Sequence, residues 1–298
     1  MRLNQIRDFV AVVEHGSINA AARALAVSQP GITKSIKALE KDLQVQLVQR
    51  TTRGALPTQY GRAFYLRARV AQSELNRARQ EIEQLGGDRD GSIAFGTGPI
   101  AAATIVPEAV NAFRRQFPRV DVRVVEGFPQ GLIPRVRDET LDFLIGPRFP
   151  NLRVEAGISF RPLFQHHLAV ACREGHPLAS VHSIAQLIEL PWLCFEPRDV
   201  LAQGFGDLGL SLPRPVIQCE SHSAFLKLLA GSDMIGVVPR RILSEDSVRG
   251  AIREIRVAEV LRGHTVGMFA RADTPLPRLA QAMAKALTRA GRRVAFSR

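Results

Sequence analysis

The sequence lacks the features that mark membrane, secreted and disulfide-bonded proteins. No run of about 18 uncharged apolar residues occurs, so a membrane span is not expected. The N-terminal stretch has no small-residue cleavage site after an apolar core, and Asp8 and Glu14 interrupt it, so no secretion signal is predicted. The three cysteines show no C-x-x-C spacing: Cys172, Cys194 and Cys219. This pattern favours reduced thiols in a cytosolic protein over a redox or metal role.

Motifs of common catalytic sites are also missing. The chain has no G-x-S-x-G nucleophile turn, no Walker phosphate loop, no G-x-G-x-x-G fingerprint and no cluster with metal-ligand spacing. His166 and His167 are adjacent, and neighbouring side chains on a strand point to opposite faces, so this pair is not expected to bind one metal ion. No catalytic residue, metal or cofactor is therefore predicted.

Acidic residues are too few to balance the basic ones. The 298 residues carry 40 Lys and Arg against 28 Asp and Glu, a formal net charge of +12 with a pI near 10.8. Residues 1–70 hold 11 basic and 4 acidic residues, whereas the remaining chain holds 29 and 24. The N-terminal excess favours a polyanionic partner, such as nucleic acid or an anionic membrane surface. The length predicts two or three globular domains.

Three amphipathic segments at the N-terminus have helical spacing. The first covers residues 3–14 and stops at Gly16, and the second, residues 19–26, consists mostly of small residues. The third begins after Ser28, which is placed as an N-cap, with a proline in the first turn. Its apolar side carries Ile32, Ile36, Leu39 and Leu43. Two short helices joined by a tight turn are typical of a helix-turn-helix.

The polar side of the third helix has the chemistry of a DNA-reading surface. In a helix-turn-helix, N-terminal residues of the second helix meet base edges, and basic side chains reach phosphates. The candidates are Ser28, Gln29, Pro30, Thr33, Lys34 and Lys37. An ordinary solvated helix face remains the alternative.

A hairpin is predicted directly after this helix. An extended stretch begins at Leu47, a turn follows at Gly54, and Thr58 is placed to cap the next helix. Such a hairpin forms a wing, from which Arg50 and Arg53 could reach the DNA backbone or an adjacent minor groove. For either arginine alone, a solvated surface charge remains the alternative.

Five motifs occur here in order. They are AAA-x-x-L at 20–25, SQP at 28–30, I-x-x-LE at 36–40, L-x-x-R-T-x-R-G at 47–54 and L-x-T-x-x-G at 56–61. The ordered run resembles the DNA-binding signature of the LysR-type transcriptional regulators. Gly31 departs from the pattern, because the family usually has a better helix former there, and glycine costs roughly 1 kcal/mol inside a helix.

A long helix is predicted after the wing. Apolar or small residues recur at spacings of four and three: Phe64, Ala68, Ala71, Leu75, Ala78, Ile82 and Leu85. This is the pattern of a coiled-coil seam, so these residues are predicted to pair two copies of the chain. A helix lying on its own core remains the alternative. The resemblance implies the same pairing, often within a tetramer.

The remaining chain alternates strand and helix patterns after a glycine-rich hinge at 86–91. Alternation of this kind predicts a parallel sheet covered by helices. Two such halves would enclose a cleft, with crossings near Arg161 and Thr265. The resemblance likewise implies an effector domain built like a periplasmic solute-binding protein.

Loops that follow the predicted strands nominate a ligand site in this cleft. Main-chain N–H groups, a threonine hydroxyl and an arginine suit an anion, and phenylalanines suit an apolar body. The candidates are Thr97, Gly98, Pro99, Phe128, Arg148, Phe195, Glu196 and His222. Family members often carry a hydroxyl residue at the position of Gly98. For the phenylalanines, a simple core role stays open, and Arg148 could equally face solvent.

The predicted architecture is an N-terminal all-α winged helix-turn-helix with a long linker helix, followed by a two-subdomain, periplasmic-binding-protein-like α/β domain. Expected boundaries are 1–58 for DNA binding, 59–87 for the linker helix and 88–298 for effector binding. Within the last, subdomain I covers about 92–161 and 266–298, and subdomain II about 162–265.

The predicted function is a sequence-specific, cytoplasmic transcriptional regulator that a small anionic effector modulates, and not an enzyme. Expected partners are double-stranded DNA, the effector, further copies of the chain in a homodimer or homotetramer, and RNA polymerase, but no membrane. Two alternatives stay open. One is an architectural or repressive DNA binder without a ligand, and the other is an α/β enzyme with a DNA-binding appendage.

Overall fold

The computed structural model describes residues 1–51, 54–85, 91–154, 156–214, 216–244 and 248–296. They form two units. The first comprises Met1–Gly91 and Arg137–Leu141, and the second comprises Ser92–Val136 and Asp142–Arg298.

The first unit contains a three-helix core, a hairpin and a long helix. The elements are α1 Leu3–His15, α2 Ile18–Ala24, α3 Gln29–Leu43, β1 Val48–Thr51, β2 Gly54–Pro57 and α4 Gln59–Leu85. Helix α1 ends because Gly16 adopts a left-handed conformation at φ 62°. The apolar sides of the helices then meet in one core around the fully buried Phe9, Ile32 and Leu39. The predicted winged helix-turn-helix is confirmed.

From Gly91 onward, strands and helices alternate. The strands are β3 Gly91–Thr97, β4 Val120–Glu126, β5 Phe143–Arg148, β6 Ile158–Gln165, β7 Leu168–Arg173, β8 Trp192–Cys194, β9 Val216–Gln218, β10 Ile235–Pro239, β11 Ile252–Ile255 and β12 Thr265–Arg271. The α-helices are α5 Pro99–Thr104, α6 Val106–Gln116, α7 Pro129–Arg137, α8 Arg198–Gly206, α9 His222–Ala230 and α10 Arg278–Phe296. Single turns of 3-10 helix lie at Ile184–Leu187 and Arg240–Ser244.

The first sheet of the second unit has the order β4-β3-β5-β12-β6. Strands β3 and β5 are parallel, as predicted, but β12 runs antiparallel to both β5 and β6. The sheet is therefore mixed rather than parallel, because the strands that leave and re-enter this subdomain pair with each other. Its core includes Phe95 and Phe143, whose stacked rings lie 5.3 Å apart.

The second sheet has the order β11-β7-β10-β8-β9. Strand β8 is parallel to β9 and β10, whereas β7 is antiparallel to β10 and β11. Trp192 of β8 is fully buried, and its indole N–H donates to the carbonyl oxygen of Leu187 at 2.9 Å.

The chain crosses between the sheets later than predicted. Strand β6 still pairs with β12 up to Gln165, and β7 of the second sheet begins at Leu168. The outward crossing therefore lies at His166 and His167 rather than near Arg161. The return reaches the first sheet at Thr265, as predicted.

Candidate DNA-binding surface and ligand cleft

Helix α3 begins with a hydrogen-bonded cap. The Ser28 hydroxyl accepts from the main-chain N–H of Gly31 at 3.2 Å, and the backbone of Ser28 is extended. Pro30 occupies the first turn, where the missing N–H leaves no helical bond unmade. The cap holds the first turn of α3 in place at the surface, as predicted from the sequence.

The predicted contact residues of α3 lie together on its outer side. Gln29, Pro30, Lys34 and Lys37 are exposed, and Thr33 is half-buried. The Gln29 amide donates to the Thr33 hydroxyl at 3.1 Å. The opposite side buries Ile32, Ile36 and Leu39 in the core. The helix is therefore held from below while its polar, cationic side faces outward.

Glu40 connects α3 to the wing, a role that the sequence patterns did not predict. Its carboxylate oxygen Oε1 accepts from the main-chain N–H groups of Leu47 at 2.8 Å and Val48 at 3.0 Å. Both donor residues are buried. The glutamate of the I-x-x-LE motif thus positions β1 against the end of the recognition helix. Only its place in the motif could have signalled this.

The far side of the wing is fixed by the start of α4. The Thr58 hydroxyl donates to the Gln46 carbonyl at 2.6 Å and accepts from the N–H of Gly61 at 3.0 Å, as predicted for an N-cap. A Cβ atom at Gly61 would lie 2.0 Å from the carbonyl oxygen of Leu47. Glycine is therefore required for this close approach.

The two wing arginines are less fully described. Arg50 lies on β1 and pairs in register with Ala55, and its side chain is outside the described residues. Arg53 also lies outside the described residues. Their predicted DNA contacts stay predictions.

The apolar side of α4 divides into two parts. Phe64 packs on Phe9 with ring centroids 5.4 Å apart, and Ala68 is buried in the core of the same unit. Their own domain buries Ala68 but only part of Phe64, so the prediction that Ala68 pairs copies of the chain is corrected, and for Phe64 it stays a prediction. Further along, Ala71 and Ala78 are exposed. Larger apolar side chains there are also exposed, Leu75 at 47% and Ile82 at 69%. The Leu85 side chain lies outside the described residues.

A small cavity lies between the two sheets of the second unit. Its volume is about 10 Å³, close to what one water molecule needs. Three aromatic rings surround it, with centroids 5.4 Å apart for Phe128 and Phe195 and 6.0 Å apart for Phe128 and Phe149. The lining residues are Gly98, Pro99, Ile100, Ala101, Phe128, Gly146, Pro147, Phe149, Phe195, Glu196, Val237, Pro239 and Val266.

Several predicted effector residues therefore do meet at one site. Gly98, Pro99, Phe128, Phe195 and Glu196 all border the cavity. Sequence reasoning missed other members of the lining, of which Phe149 is the largest. The sequence signal for Phe149 was its position two residues after Pro147, since alternate residues of an extended chain point to the same side.

Three predicted effector residues are placed elsewhere. The Arg148 guanidinium is exposed and stacks on the Phe160 ring at 5.2 Å, because the chain turns this side chain away from the cavity. Thr97 is fully buried, and its hydroxyl donates to the Gly98 carbonyl at 3.1 Å. His222 packs edge-on against Phe195, with centroids 5.5 Å apart, and is not part of the lining.

Glu196 belongs to a cluster that reaches the crossing segments. Its Oε2 lies 3.4 Å from Nε2 of His264, and both side chains are only 12% exposed. The main-chain N–H of His264 in turn donates to Nε2 of the buried His166 at 3.3 Å. Burial lowers the pKa of His166 to about 4, although the nearby Glu196 carboxylate acts in the opposite direction. His166 is therefore neutral and can accept this hydrogen bond.

A larger groove of about 490 Å³ lies between α6 and α10. Five of its fourteen lining residues are basic, and none of the predicted effector residues is among them. The smaller cavity between the sheets fits the predicted site better, because loops of both subdomains converge there. In the described part of the chain, no group of His, Cys, Asp or Glu residues has the geometry of a metal site. None of the described helices is long and apolar enough to cross a lipid bilayer.

A winged helix-turn-helix joined to a two-subdomain ligand-binding fold defines the class of DNA-binding regulators with a sensor domain. Family comparisons identify it further. Residues 3–62 match the bacterial regulatory helix-turn-helix protein, lysR family, and residues 86–292 match the LysR substrate binding domain. The chain belongs to the LysR family of transcriptional regulators. It is a DNA-binding transcriptional regulator with an effector-binding domain, and not an enzyme.

Individual relatives agree with this assignment. The chain is 30% identical over 287 residues to the SDS degradation transcriptional activation protein of Pseudomonas sp. (strain ATCC 19151), covering 94% of both chains. Its fold is similar to full-length OxyR C199D from Pseudomonas aeruginosa, with a TM-score of 0.72, 22% identity and coverage of 96% and 94%. It also resembles full-length CbnR complexed with its target DNA, with a TM-score of 0.69, 23% identity and coverage of 97% and 100%.

Proposed function

We propose that the outer side of α3 reads base edges in the major groove of DNA. The main support is that α3 is capped, anchored by its apolar side and exposed along its polar side. Gln29 and Thr33 have groups that can contact bases, and Lys34 and Lys37 have the charge to contact phosphates. The solved complex of the structurally similar CbnR with its target DNA supports this proposal.

The proposed assembly is a homodimer formed through the exposed part of α4. Leu75 and Ile82 are large apolar side chains left in solvent, and pairing with a second copy would bury them. Two recognition helices then require two half-sites about one DNA turn apart, or a multiple of it. A homotetramer, RNA polymerase as a partner, a cytoplasmic location and boundaries at 1–58, 59–87 and 88–298 remain part of the proposal.

The proposed sensor site is the cavity between the two subdomains. A ligand bound there would contact loops from both sheets, so it would favour one relative orientation of the subdomains over others. The cavity holds about one water molecule, so ligand binding must move the surrounding rings. DNA affinity or bending would then depend on the ligand.

The DNA proposal is tested with single substitutions on α3. A duplex selected from a random library serves as the specific site, and a scrambled duplex serves as the nonspecific one. We expect Gln29→Ala to weaken binding to the selected duplex by roughly 5- to 150-fold, the cost of one good base contact, and to leave the scrambled duplex nearly unaffected. Fluorescence anisotropy measures both affinities.

Lys34→Ala has a different expected signature. It should weaken both duplexes by a similar factor and reduce the slope of log affinity against log salt by about 0.9, because one phosphate contact is lost. Lys227→Ala is the matched control, since it removes an exposed lysine from the second unit. Equal losses on both duplexes for Gln29→Ala would remove that residue from the base-reading set.

Ligand sensing is tested separately, by thermal unfolding in the presence of small molecules. A ligand that binds only the folded chain raises the melting temperature, by an amount that grows with its concentration relative to Kd. Active compounds are then added to the selected duplex assay. If no compound shifts the melting temperature, a DNA binder without a ligand becomes the better description.

A further inference from the structure

Among the described residues that line the cavity, Glu196 is the one with a charged side chain. The other lining residues are glycine, alanine, proline, branched aliphatic residues and phenylalanine. Arg198 follows two positions later, but it is exposed and does not border the cavity. The site is therefore an apolar, aromatic space with a single carboxylate at its edge.

The Glu196 carboxylate is only partly satisfied by the protein. Oε2 lies 3.4 Å from His264, a long contact, and Oε1 makes no hydrogen bond to any residue in the described ranges. The backbone at this position is held, because the Cys194 thiol donates to the Glu196 carbonyl at 2.9 Å. His264 is held edge-on against Phe149, with centroids 5.0 Å apart. Because Oε1 has no partner among the described residues, it is available to a ligand that donates hydrogen bonds.

The side chains predicted to hold an anion do not line the cavity. The Arg148 guanidinium lies on Phe160, and the Thr97 hydroxyl donates to the protein backbone. The Gly98 N–H donates to the Ile145 carbonyl at 2.6 Å, and Pro99 has no N–H. A carboxylate ligand would thus bring a second negative charge beside Glu196 without a basic side chain from the lining to offset it.

We propose that the cavity accepts an effector with an aromatic or similarly apolar body and an amine-type cationic head, whose N–H groups pair with Glu196. This inference rests on the proposed sensor function and specifies its ligand class. The body would lie among Phe128, Phe149 and Phe195, in the space that these rings now nearly fill. The anionic effector expected from the sequence would then be the wrong class.

The test compares ligands of one shape and different charge on the full-length protein. Isothermal titration calorimetry is carried out with 2-phenylethylamine, 2-phenylethanol and phenylacetate. Two further series carry the same amine, alcohol and carboxylate head groups on a cyclohexyl and on an indole body. We expect each amine to bind at least tenfold more tightly than the matching carboxylate. The chain's net charge of +12 attracts anions nonspecifically, so an amine preference must come from the site itself.

Variants separate the role of Glu196 from general charge effects. We expect Glu196→Gln to reduce the amine preference to within about threefold and to leave the affinity for the alcohols unchanged. Glu189→Gln removes an exposed carboxylate of the same charge and should leave the preference intact. The comparison of ligands on the unmodified protein stands by itself, even if Glu196→Gln fails to fold.

The possible failures are distinguishable. Tighter binding of the carboxylates, or an amine preference that survives Glu196→Gln, would overturn the ligand class and leave the sensor function in place. Binding of none of the probes, together with no thermal shift in the broader screen, would instead remove the sensor function itself.

Discussion

Replacing Glu40 tests whether one carboxylate positions the wing. In Glu40→Ala, the N–H groups of Leu47 and Val48 lose an acceptor at 2.8 and 3.0 Å, and both residues are buried. An unsatisfied buried donor costs about 1–3 kcal/mol. Two such donors, partly compensated by water because Glu40 is only half-buried, give about 2–4 kcal/mol for local opening of the wing.

Hydrogen–deuterium exchange measures this opening directly. A loss of about 2–4 kcal/mol accelerates exchange of the amides at residues 47 and 48 by roughly 30- to 1000-fold, since 1.36 kcal/mol corresponds to a factor of ten. Glu40→Gln keeps one neutral acceptor oxygen, so its effect should be intermediate. Lys41→Ala changes an exposed neighbour and is the control. Equal exchange in Glu40→Ala and Lys41→Ala would mean that packing alone holds the wing.

DNA affinity gives a second test, in which two explanations predict opposite signs. If the charge of Glu40 were its only contribution, removing a negative group from the DNA-binding unit would strengthen DNA binding. If Glu40 positions the wing, Glu40→Ala should weaken binding even though the domain becomes more positive. Anisotropy with the selected duplex, measured at two salt concentrations, distinguishes these cases, and tighter binding would refute the positioning role.

Three further predictions concern both units. Gly61→Ala should destabilise the winged unit by about 1–3 kcal/mol in thermal unfolding, because the added Cβ meets the Leu47 carbonyl. Gly131→Ala is the control: its Cβ would meet no atom within 4 Å, so this substitution should not destabilise the protein through a clash. The pKa of His166 is lowered to about 4 in the folded protein, so as pH falls the imidazole is protonated in the unfolded chain before it is protonated in the folded one. The stability that is present above pH 6.5 is therefore lost as pH falls towards 4. By pH 5 the loss should be about 2 kcal/mol in urea unfolding followed by the single tryptophan, and absent in His166→Gln. Arg148→Ala should leave ligand affinity within about twofold in calorimetry, and a larger loss would return this residue to the site.

The winged unit could be predicted closely because local patterns determine it. The apolar spacing of residues 32, 36 and 39, the Ser28 cap and the proline of the first turn all concern neighbours in one helix. The contact of Glu40 with the wing joins residues seven and eight positions apart through the tertiary fold. No periodic pattern reports such a contact, so only the motif marked the residue.

The linker helix illustrates a different limit. The four-and-three spacing correctly identified one apolar side of α4. A spacing pattern cannot say what covers that side. In the first part of α4 the chain itself buries Ala68 and partly buries Phe64. Burial in the folded chain was needed to restrict the proposed pairing surface to Ala71, Ala78 and the larger Leu75 and Ile82.

The sequence predicted where the ligand cavity lies, between the two subdomains, but only some of the residues that line it. Loops after the strands do converge, which follows from the α/β architecture. Arg148 was misplaced because adjacency in sequence to a lining residue does not make a side chain point the same way. Of the two charged candidates, the arginine is turned outward and Glu196 borders the cavity, which is the basis for proposing a cationic rather than an anionic effector.

The histidines at the crossing supply a physical route from this cavity to the connection between subdomains. Two hydrogen bonds join His166 of the outward segment to His264 of the return segment. The His166 main-chain N–H donates to the His264 carbonyl, and the His264 main-chain N–H donates to Nε2 of His166. Glu196 touches the ring of the same His264 at 3.4 Å. An ammonium group on Glu196 would compete with His264 for the carboxylate, so a ligand of the proposed class would act on the crossing segments as well as on the cavity wall. An uncharged ligand of the same shape would fill the cavity without this competition, and it should therefore bind while changing DNA affinity less.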